Sequence, residues 1–441
     1  MRRRTLLAGT VATAAAAASS PLLAGCGSAN GGSGTPTLDF LSLAWQKESL
    51  AANKALVAQW NRNHPEVRVR YVQGSWDNVH DQLLTSFEGG AAPDIIHDEA
   101  IDLTDFGYGG YLADLSGLIP ADLRRRIPDS AWATSRFDGG LYGVPFLQEP
   151  WVLIANRSLL EKAGIALPSV EHPWTWDEFE DVTRELTRRG HGSAERFGTA
   201  WAMNAPVNAT VNLSMGNGGR LLYRREDGTP EVRFDAADSA FAELIHRQVN
   251  SERTAAPSAL GMGGGDTLPG FFAGRYALLP LGFSYRQQVQ QQAPDHFDWV
   301  TLPLPTGPHA PDGGRAQGVS PQTLSVSKSC AHPEAAAAFI AFMTQDAHLV
   351  QLARGDWLVP TGDAALRAPS ITTAKDGWST GVAVASHLRA SPVLGMRGYP
   401  EWKDKIATPA LQQYYSGGTD LEGLRKQLVR DGNRIFDRYR D

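Results

Sequence analysis

At several places in this chain, polar side chains that could hold a ligand stand beside aromatic rings or apolar runs. Gln148 and Glu149 lie between Phe146 and Trp151. Asp98 and Glu99 follow the apolar pair Ile95 and Ile96, Trp45 and Gln46 follow the apolar run Leu38 to Leu43, and Arg397 stands in GMRGYPEW ahead of Tyr399 and Trp402. A carboxylate flanked by large apolar rings is costly to bury without partners, so Glu149 either caps a structural element or faces a wet cleft; the cleft is the expectation. Carboxylates and amides accept and donate hydrogen bonds, and a loop guanidinium can engage a sugar hydroxyl or a phosphate through two donors at once. The competing readings are a helix N-cap or a hinge salt bridge for each acid, and a surface position for the arginine.

Catalytic signatures are missing. The sequence holds no GxSxG, no HExxH and no cysteine or histidine cluster with metal spacing. Gly261 to Gly265 runs into Asp266 where a phosphate loop needs Lys and Ser or Thr. No enzyme activity, cofactor or metal is therefore expected. Paired carboxylates such as Asp98 and Glu149 could still serve a glycosidase if they faced each other across a cleft.

The elements that must position these groups read clearly from periodicity. Leu38 to Leu43 is strand-like, Leu56, Val57 and Trp60 share a helical face that stops before Pro65, and Val67, Val69 and Tyr71 alternate. Val79, Leu83 and Phe87 follow helical spacing, and Ile95 and Ile96 make a short buried strand. This βαβαβ order predicts a parallel sheet, with ligand residues in the loops beyond the strand ends: Trp45 and Gln46, Gly74 to Trp76, and His97 to Glu99. Trp151 to Ala155 reads as another buried strand, entered through Gly143, Pro145 and Pro150.

The 441 residues, 42% of them apolar and 20% charged, suffice for more than one core. The first 25 residues read as a leader: Arg2 to Arg4, a small-residue apolar run from Leu6 to Ala18, then Leu23, Ala24, Gly25 and Cys26 in the manner of a lipobox. Arg3 and Arg4 also fit a twin-arginine signal, which leaves the export route open. Without that leader the chain carries 38 basic against 47 acidic residues, a net −9 that argues against nucleic acid or anionic lipid as the main partner. Residues 26–35 read as a flexible tether, with acyl chains on Cys26 holding the protein at the outer face of the cytoplasmic membrane. Cys330 is then alone, and no disulfide is expected.

Across the rest of the chain, several segments in order carry a resemblance: PDIIHDEAIDLTDFGYGGYLADLS from Pro93, LYGVPF from Leu141 with a strand ending at Asn156, PWTWDEFEDVTREL from Pro173, and FFAGRYALLPLGFSY from Phe271. LPLP from Leu302, the run Gly318 to Thr361, and a closing helical face of Leu421, Leu424, Leu428, Ile435 and Tyr439 complete the set. Together with the lipobox they resemble the extracellular solute-binding proteins of ABC importers, in the carbohydrate-binding group that includes maltose-binding protein. The resemblance implies a two-lobed α/β fold of the periplasmic-binding-protein type (type II). Each lobe would be a mostly parallel sheet with flanking helices, and ligand would be held between them by hinge closure. Crossings are expected near Pro145 to Trp151, Gln317 to Pro321 and Pro360 to Gly362. They divide the chain into lobe one, 36–147 plus 319–361, and lobe two, 148–318 plus 362–441.

The implied function is capture of a sugar or oligosaccharide by a monomeric, lipid-anchored binding component and its delivery to ABC permease subunits. A pyranose has apolar faces and a hydroxyl edge, so flat rings beside acids and amides suit it. Trp45, Trp201, Phe283, Tyr285 and Trp402 fall where loops face the expected cleft, while Trp60, Trp132 and Trp299 read as core. With Gln46, Asp98, Glu99, Gln148, Glu149 and Arg397 they form the expected ligand set; in the resembling family the position of Glu149 often contacts sugar hydroxyls. An anchored glycosidase or a lectin-like adhesin would use similar chemistry, and a glycerol phosphodiester or polyol is the alternative ligand within the same class.

Overall fold

The computed structural model describes residues 35–190, 196–307 and 311–439; the leader, Cys26 and residues 27–34 of the tether lie outside them. The expected βαβαβ unit forms from Thr37–Ser42, Lys47–Asn63, Arg68–Gln73, Val79–Glu88 and Ile95–Glu99. Its three strands pair in parallel, with Phe40 opposite Tyr71 on one side and Ile95 on the other. Period-two alternation sends Leu38 and Phe40 to one face of the sheet, where Trp60, Phe146 and Phe339 pack. Leu43 and Ile96 go to the other face, with Leu83, Leu103 and Phe106. Asn61 on the helix ties itself to the next strand by exchanging two hydrogen bonds with the Val69 backbone, at 2.7 and 2.8 Å.

Two sheets organise the chain. The first runs Val359–Pro360, Val144–Gln148, Gln322–Val326, Ile95–Glu99, Thr37–Ser42, Arg68–Gln73; the second runs Trp299–Pro303, Trp151–Asn156, Tyr276–Gly282, Phe197–Thr199. Both faces of the second sheet are covered: Leu153 and Ala155 enter one core with Trp201 and Trp402, and Val152 and Ile154 enter another with Phe271 and Phe283. The helix Trp176–Leu186 that covers part of this lobe starts where the sequence WTWDEF places a capping box. The Thr175 hydroxyl accepts from the Glu178 N–H at 3.2 Å, and a Glu178 carboxylate oxygen takes the Thr175 N–H at 2.7 Å.

Only Glu149 and Pro150 separate the last residue of a first-sheet strand, Gln148, from the first residue of a second-sheet strand, Trp151. Ser320 and Pro321 make the return between Gln317–Val319 and Gln322–Val326. Gln317 fastens the two connections together: its amide accepts the Trp151 N–H at 2.9 Å and donates to the Trp151 carbonyl at 3.1 Å.

The two-lobed α/β fold is the expected one, but the sheets are mixed rather than mostly parallel. In the first, Gln322–Val326 is antiparallel to both neighbours and Val359–Pro360 to its one neighbour; in the second, only Tyr276–Gly282 and Phe197–Thr199 are parallel. The reason is the crossing itself. A strand that brings the chain into a lobe starts at the gap and runs away from it, so Trp151–Asn156 and Gln322–Val326 oppose neighbours whose carboxyl ends face the gap. Among the described residues, no helix is long and apolar enough to cross a membrane.

Candidate ligand site

The carboxyl ends of the first lobe's parallel strands and the crossing from Gln148 to Trp151 converge on a carboxyl-rich floor. His97 supports it from below. Its Nδ1 accepts the Leu43 N–H at 3.1 Å, which leaves Nε2 to donate to the Gln322 side-chain oxygen at 3.0 Å. Burial lowers its pKa to about 4, the Gln322 contact opposing, so the ring stays neutral and joins three strands. Trp76, from the loop after the second strand, meets this imidazole edge to face at 5.6 Å.

Above it, Asp98 is buried; one carboxyl oxygen takes the Glu99 N–H at 2.8 Å and the other, Oδ2, has no hydrogen-bond partner. Burial and the neighbouring Asp102 carboxylate push its pKa well above the usual carboxylate range. Asp102 itself engages His80 Nδ1 at 2.7 Å. Burial, then Asp102 and Glu149, raise Glu99 to about 8, against the opposing pull of Lys403 and Ser320.

Glu149 reaches to the second lobe, where one oxygen accepts both the N–H and the hydroxyl of Ser284, at 2.9 and 2.6 Å. Burial raises this carboxyl, with the Ser284 bonds and the Arg286 guanidinium opposing. Gly282 makes room for it, since a Cβ there would stand 2.5 Å from that same carboxylate oxygen. Tyr285 lies half-buried over Gly264, and burial with the nearby Glu149 and Asp266 carboxylates lifts its pKa to about 12. Burial, and then Glu149, push Asp356 up to about 7 against the opposing influence of Ser49.

The structure gathers Asp98, Glu99, Gln148, Glu149 and Tyr285 at this floor, and sets Trp45 in the loop after the first strand with 47% of its surface exposed. Gln46 is buried, and its amide bonds the Asp356 carbonyl at 3.4 Å. Arg397 stands at the rim, 5.1 Å from the ring centre of Tyr108 in the first lobe and 5.8 Å from that of Tyr439 in the second.

Three expected contact aromatics prove to be core. Trp201 is 1% exposed and donates its indole N–H to Gln248 at 2.9 Å, so an internal acceptor removes the need for water. Phe283 is fully buried beneath the Arg286 guanidinium and edge-on to Trp378, over a helix that passes closely because residue 381 is glycine. Trp402 is fully buried between Tyr399 and Phe436, with Gly432 close against its indole nitrogen. Conversely, sequence reasoning missed Asp102, His80, Lys403, Ser284 and Asp356. Asp102 alone carried a local signal, as a third acid within five residues of Asp98.

A bridge between lobes flanks the site. Glu48, in the first turn of Lys47–Asn63, accepts the Gln291 amide at 3.1 and 3.2 Å and the Gln287 amide as well, both from the second-lobe helix Tyr285–Gln292. Gln287 and Gln291 are one turn apart and so share a face.

Comparison with known proteins gives the family and the fold. The family model for bacterial extracellular solute-binding proteins matches residues 44–348. An uncharacterized lipoprotein from the oleD 5′ region of Streptomyces antibioticus is 56% identical over 405 residues, 92% of this chain and 88% of the relative. Two solved structures share the fold: UgpB from Mycobacterium tuberculosis in complex with glycerophosphocholine and an ABC substrate-binding protein from Listeria monocytogenes in complex with cycloalternan. The first has a TM-score of 0.77 at 20% identity, covering 92% of this chain and all of that one. The second has a TM-score of 0.75 at 20% identity, covering 92% and 99%. With this floor of carboxyls between two lobes and a family model that spans most of its length, the chain belongs to the bacterial extracellular solute-binding proteins.

Proposed function

We propose that this protein is the carbohydrate-capturing component of an ABC importer, anchored through Cys26, and that it binds without catalysing a reaction. The observation that carries the ligand class is the cluster of raised acids: burial lifts Asp98 and Glu149 above the usual carboxylate range and Glu99 to about 8. A protonated carboxyl both donates and accepts, which suits sugar hydroxyls. Trp45 supplies an exposed flat ring beside it. The buried Arg286 spends its guanidinium on the carbonyls of Phe283, Trp357 and Asp376. Cycloalternan in the Listeria relative supports the oligosaccharide reading, and the glycerophosphocholine of the Mycobacterium relative marks the alternative.

The division proposed for the lobes is 36–147 plus 319–361 against 148–318 plus 362–441. The partners proposed are a membrane permease and the membrane itself, with the protein acting as a monomer. A thermal-shift panel of neutral mono- and oligosaccharides, cycloalternan and glycerophosphocholine tests the ligand class. A cognate sugar at 100 times its dissociation constant stabilises by about 2.7 kcal/mol, and a shift with glycerophosphocholine alone would overturn the carbohydrate reading. For the anchor, Cys26→Ser should move the protein from the detergent phase to the aqueous phase of a phase separation. Unchanged partition would refute lipidation at that residue.

A further inference from the structure

Arg286 is a costly residue to bury. It is fully enclosed, and its guanidinium bonds three backbone carbonyls rather than a carboxylate: Phe283 in its own turn at 2.8 Å, Trp357 at 3.2 Å, and Asp376. Three rings surround it, with the guanidinium carbon 3.1 Å from the ring centre of Phe283, 4.7 Å from that of Trp378 and 5.2 Å from that of Trp357. Rings and carbonyls replace lost water only in part, and burial draws this arginine well below its usual pKa, with Asp376 and Glu149 opposing.

Two of the carbonyls it grips belong to residues in the left-handed region, Trp357 with φ 56° and Asp376 with φ 54°. A bulky side chain rarely adopts that conformation, which persists only where the surroundings over-determine it. Trp357 ends the helix Asp346–Asp356 and turns the chain between two cores. Leu352 and Leu358 pack with Phe40 in the core of the first sheet, while the Trp357 ring packs with Phe283 and Trp378 in a core of the second.

The turn that carries Arg286 also runs along the first crossing. Gly282 pairs with Trp151, the Phe283 N–H bonds the Pro150 carbonyl at 3.0 Å, and Ser284 holds Glu149. Gln148, next to Glu149, pairs with Val359, two residues after Trp357. These contacts close a ring: from Ser284 to Glu149, along the chain to Gln148, across to Val359, back to Trp357, and through Arg286 to the turn that carries Ser284. Arg286 supplies the closing link.

We propose that Arg286 is the positioning residue for Glu149: by fastening the turn at Phe283 and Ser284 to Trp357, it fixes where Ser284 holds the Glu149 carboxyl. This rests on the reading above only in counting Glu149 to the ligand site, whichever ligand is bound there. A guanidinium suits the task because its planar fork reaches several carbonyls at once, which a single ammonium does not.

Amide-resolved hydrogen exchange on the ligand-free protein tests this, with the wild type compared to Arg286→Met, which fills the cage of rings without the fork, and to Arg286→Lys, which keeps the charge. The Ser284 amide donates to Glu149, and the strand Thr37–Ser42, paired on both sides, serves as the reference. In both variants the Ser284 amide should gain roughly tenfold or more in exchange rate over any change at the reference amides. Equal acceleration at both places, or loss of the fold in both variants, would make Arg286 a core residue and overturn the proposal, as would an unchanged Ser284 amide. Wild-type protection of Ser284 in Arg286→Lys would mean that charge alone suffices, and would overturn it too. No ligand enters the measurement, so its failure leaves the carbohydrate reading standing, and failure of the sugar panel leaves the clamp standing.

Discussion

Trp201→Ala should lower the stability of the ligand-free protein by about 3–5 kcal/mol, the range for truncating a buried tryptophan. Its indole is enclosed by Phe179 and Phe241, each edge-on to it, and its departure also strands the Gln248 oxygen that takes its N–H. Gln248 further donates to the Thr183 hydroxyl at 3.2 Å, so the loss spreads to the helix Trp176–Leu186. Trp402→Ala belongs to the same class, although its indole nitrogen has no partner to strand. Trp45→Ala is the contrast: with 47% of the side chain in water, the change should stay within about 0.5 kcal/mol. Urea midpoints at unchanged m-value check all three. Equal destabilisation by Trp45→Ala and Trp201→Ala would contradict the placement of one at the cleft and the other in the core.

Glu99→Gln should stabilise the ligand-free protein, and do so increasingly with pH. The native carboxyl titrates near pH 8, while the unfolded one titrates near 4.5. Between those values the folded state keeps a proton that the unfolded state has released, so stability falls as pH rises from about 4.5 to 8 and levels beyond. An amide has no such proton to lose. The variant and wild type should be nearly equal at pH 4 and differ by about 2–4 kcal/mol at pH 8.5, a figure set below the full shift because the side chain is part exposed. Chemical denaturation at the two pH values measures it. A constant difference across that range would mean that Glu99 is not held as a neutral acid beside Asp102 and Glu149. The strain is of the sort a binding site carries, and it is why removing the acid improves the apo fold.

The residues that read true in the sequence are those whose neighbours are close along the chain. Leu38, Phe40, Leu56, Trp60, Val69 and Ile95 declare their elements by local period. Thr175 and Glu178 form their capping box within one turn, and Pro150 and Pro321 mark the crossings. What stayed hidden depends on contacts between distant segments. Trp201 is core because Gln248 satisfies it, and Phe283 because Gly381 lets a helix approach; neither pairing has a local signature. The carboxyl floor divides in the same way. Asp98, Glu99 and Glu149 follow from strand ends and a crossing, whereas His80, Ser284 and Lys403 come to them from separate helices and loops. Sheet direction was hidden too, since local sequence does not say that Gln322–Val326 enters its sheet from the gap.

The central claim is that ligand is held between the lobes, so that binding and closure are one event. The bridge from Glu48 to Gln287 and Gln291, and the meeting of Tyr108 with Arg397, are made across that gap and must part when it opens. Small-angle scattering of the protein lacking its leader, with and without a saturating neutral oligosaccharide taken from the thermal-shift panel, tests this directly. A smaller radius of gyration in the bound form is the predicted result; an unchanged radius with a sugar proven to bind would contradict closure and place the ligand in a rigid or superficial site.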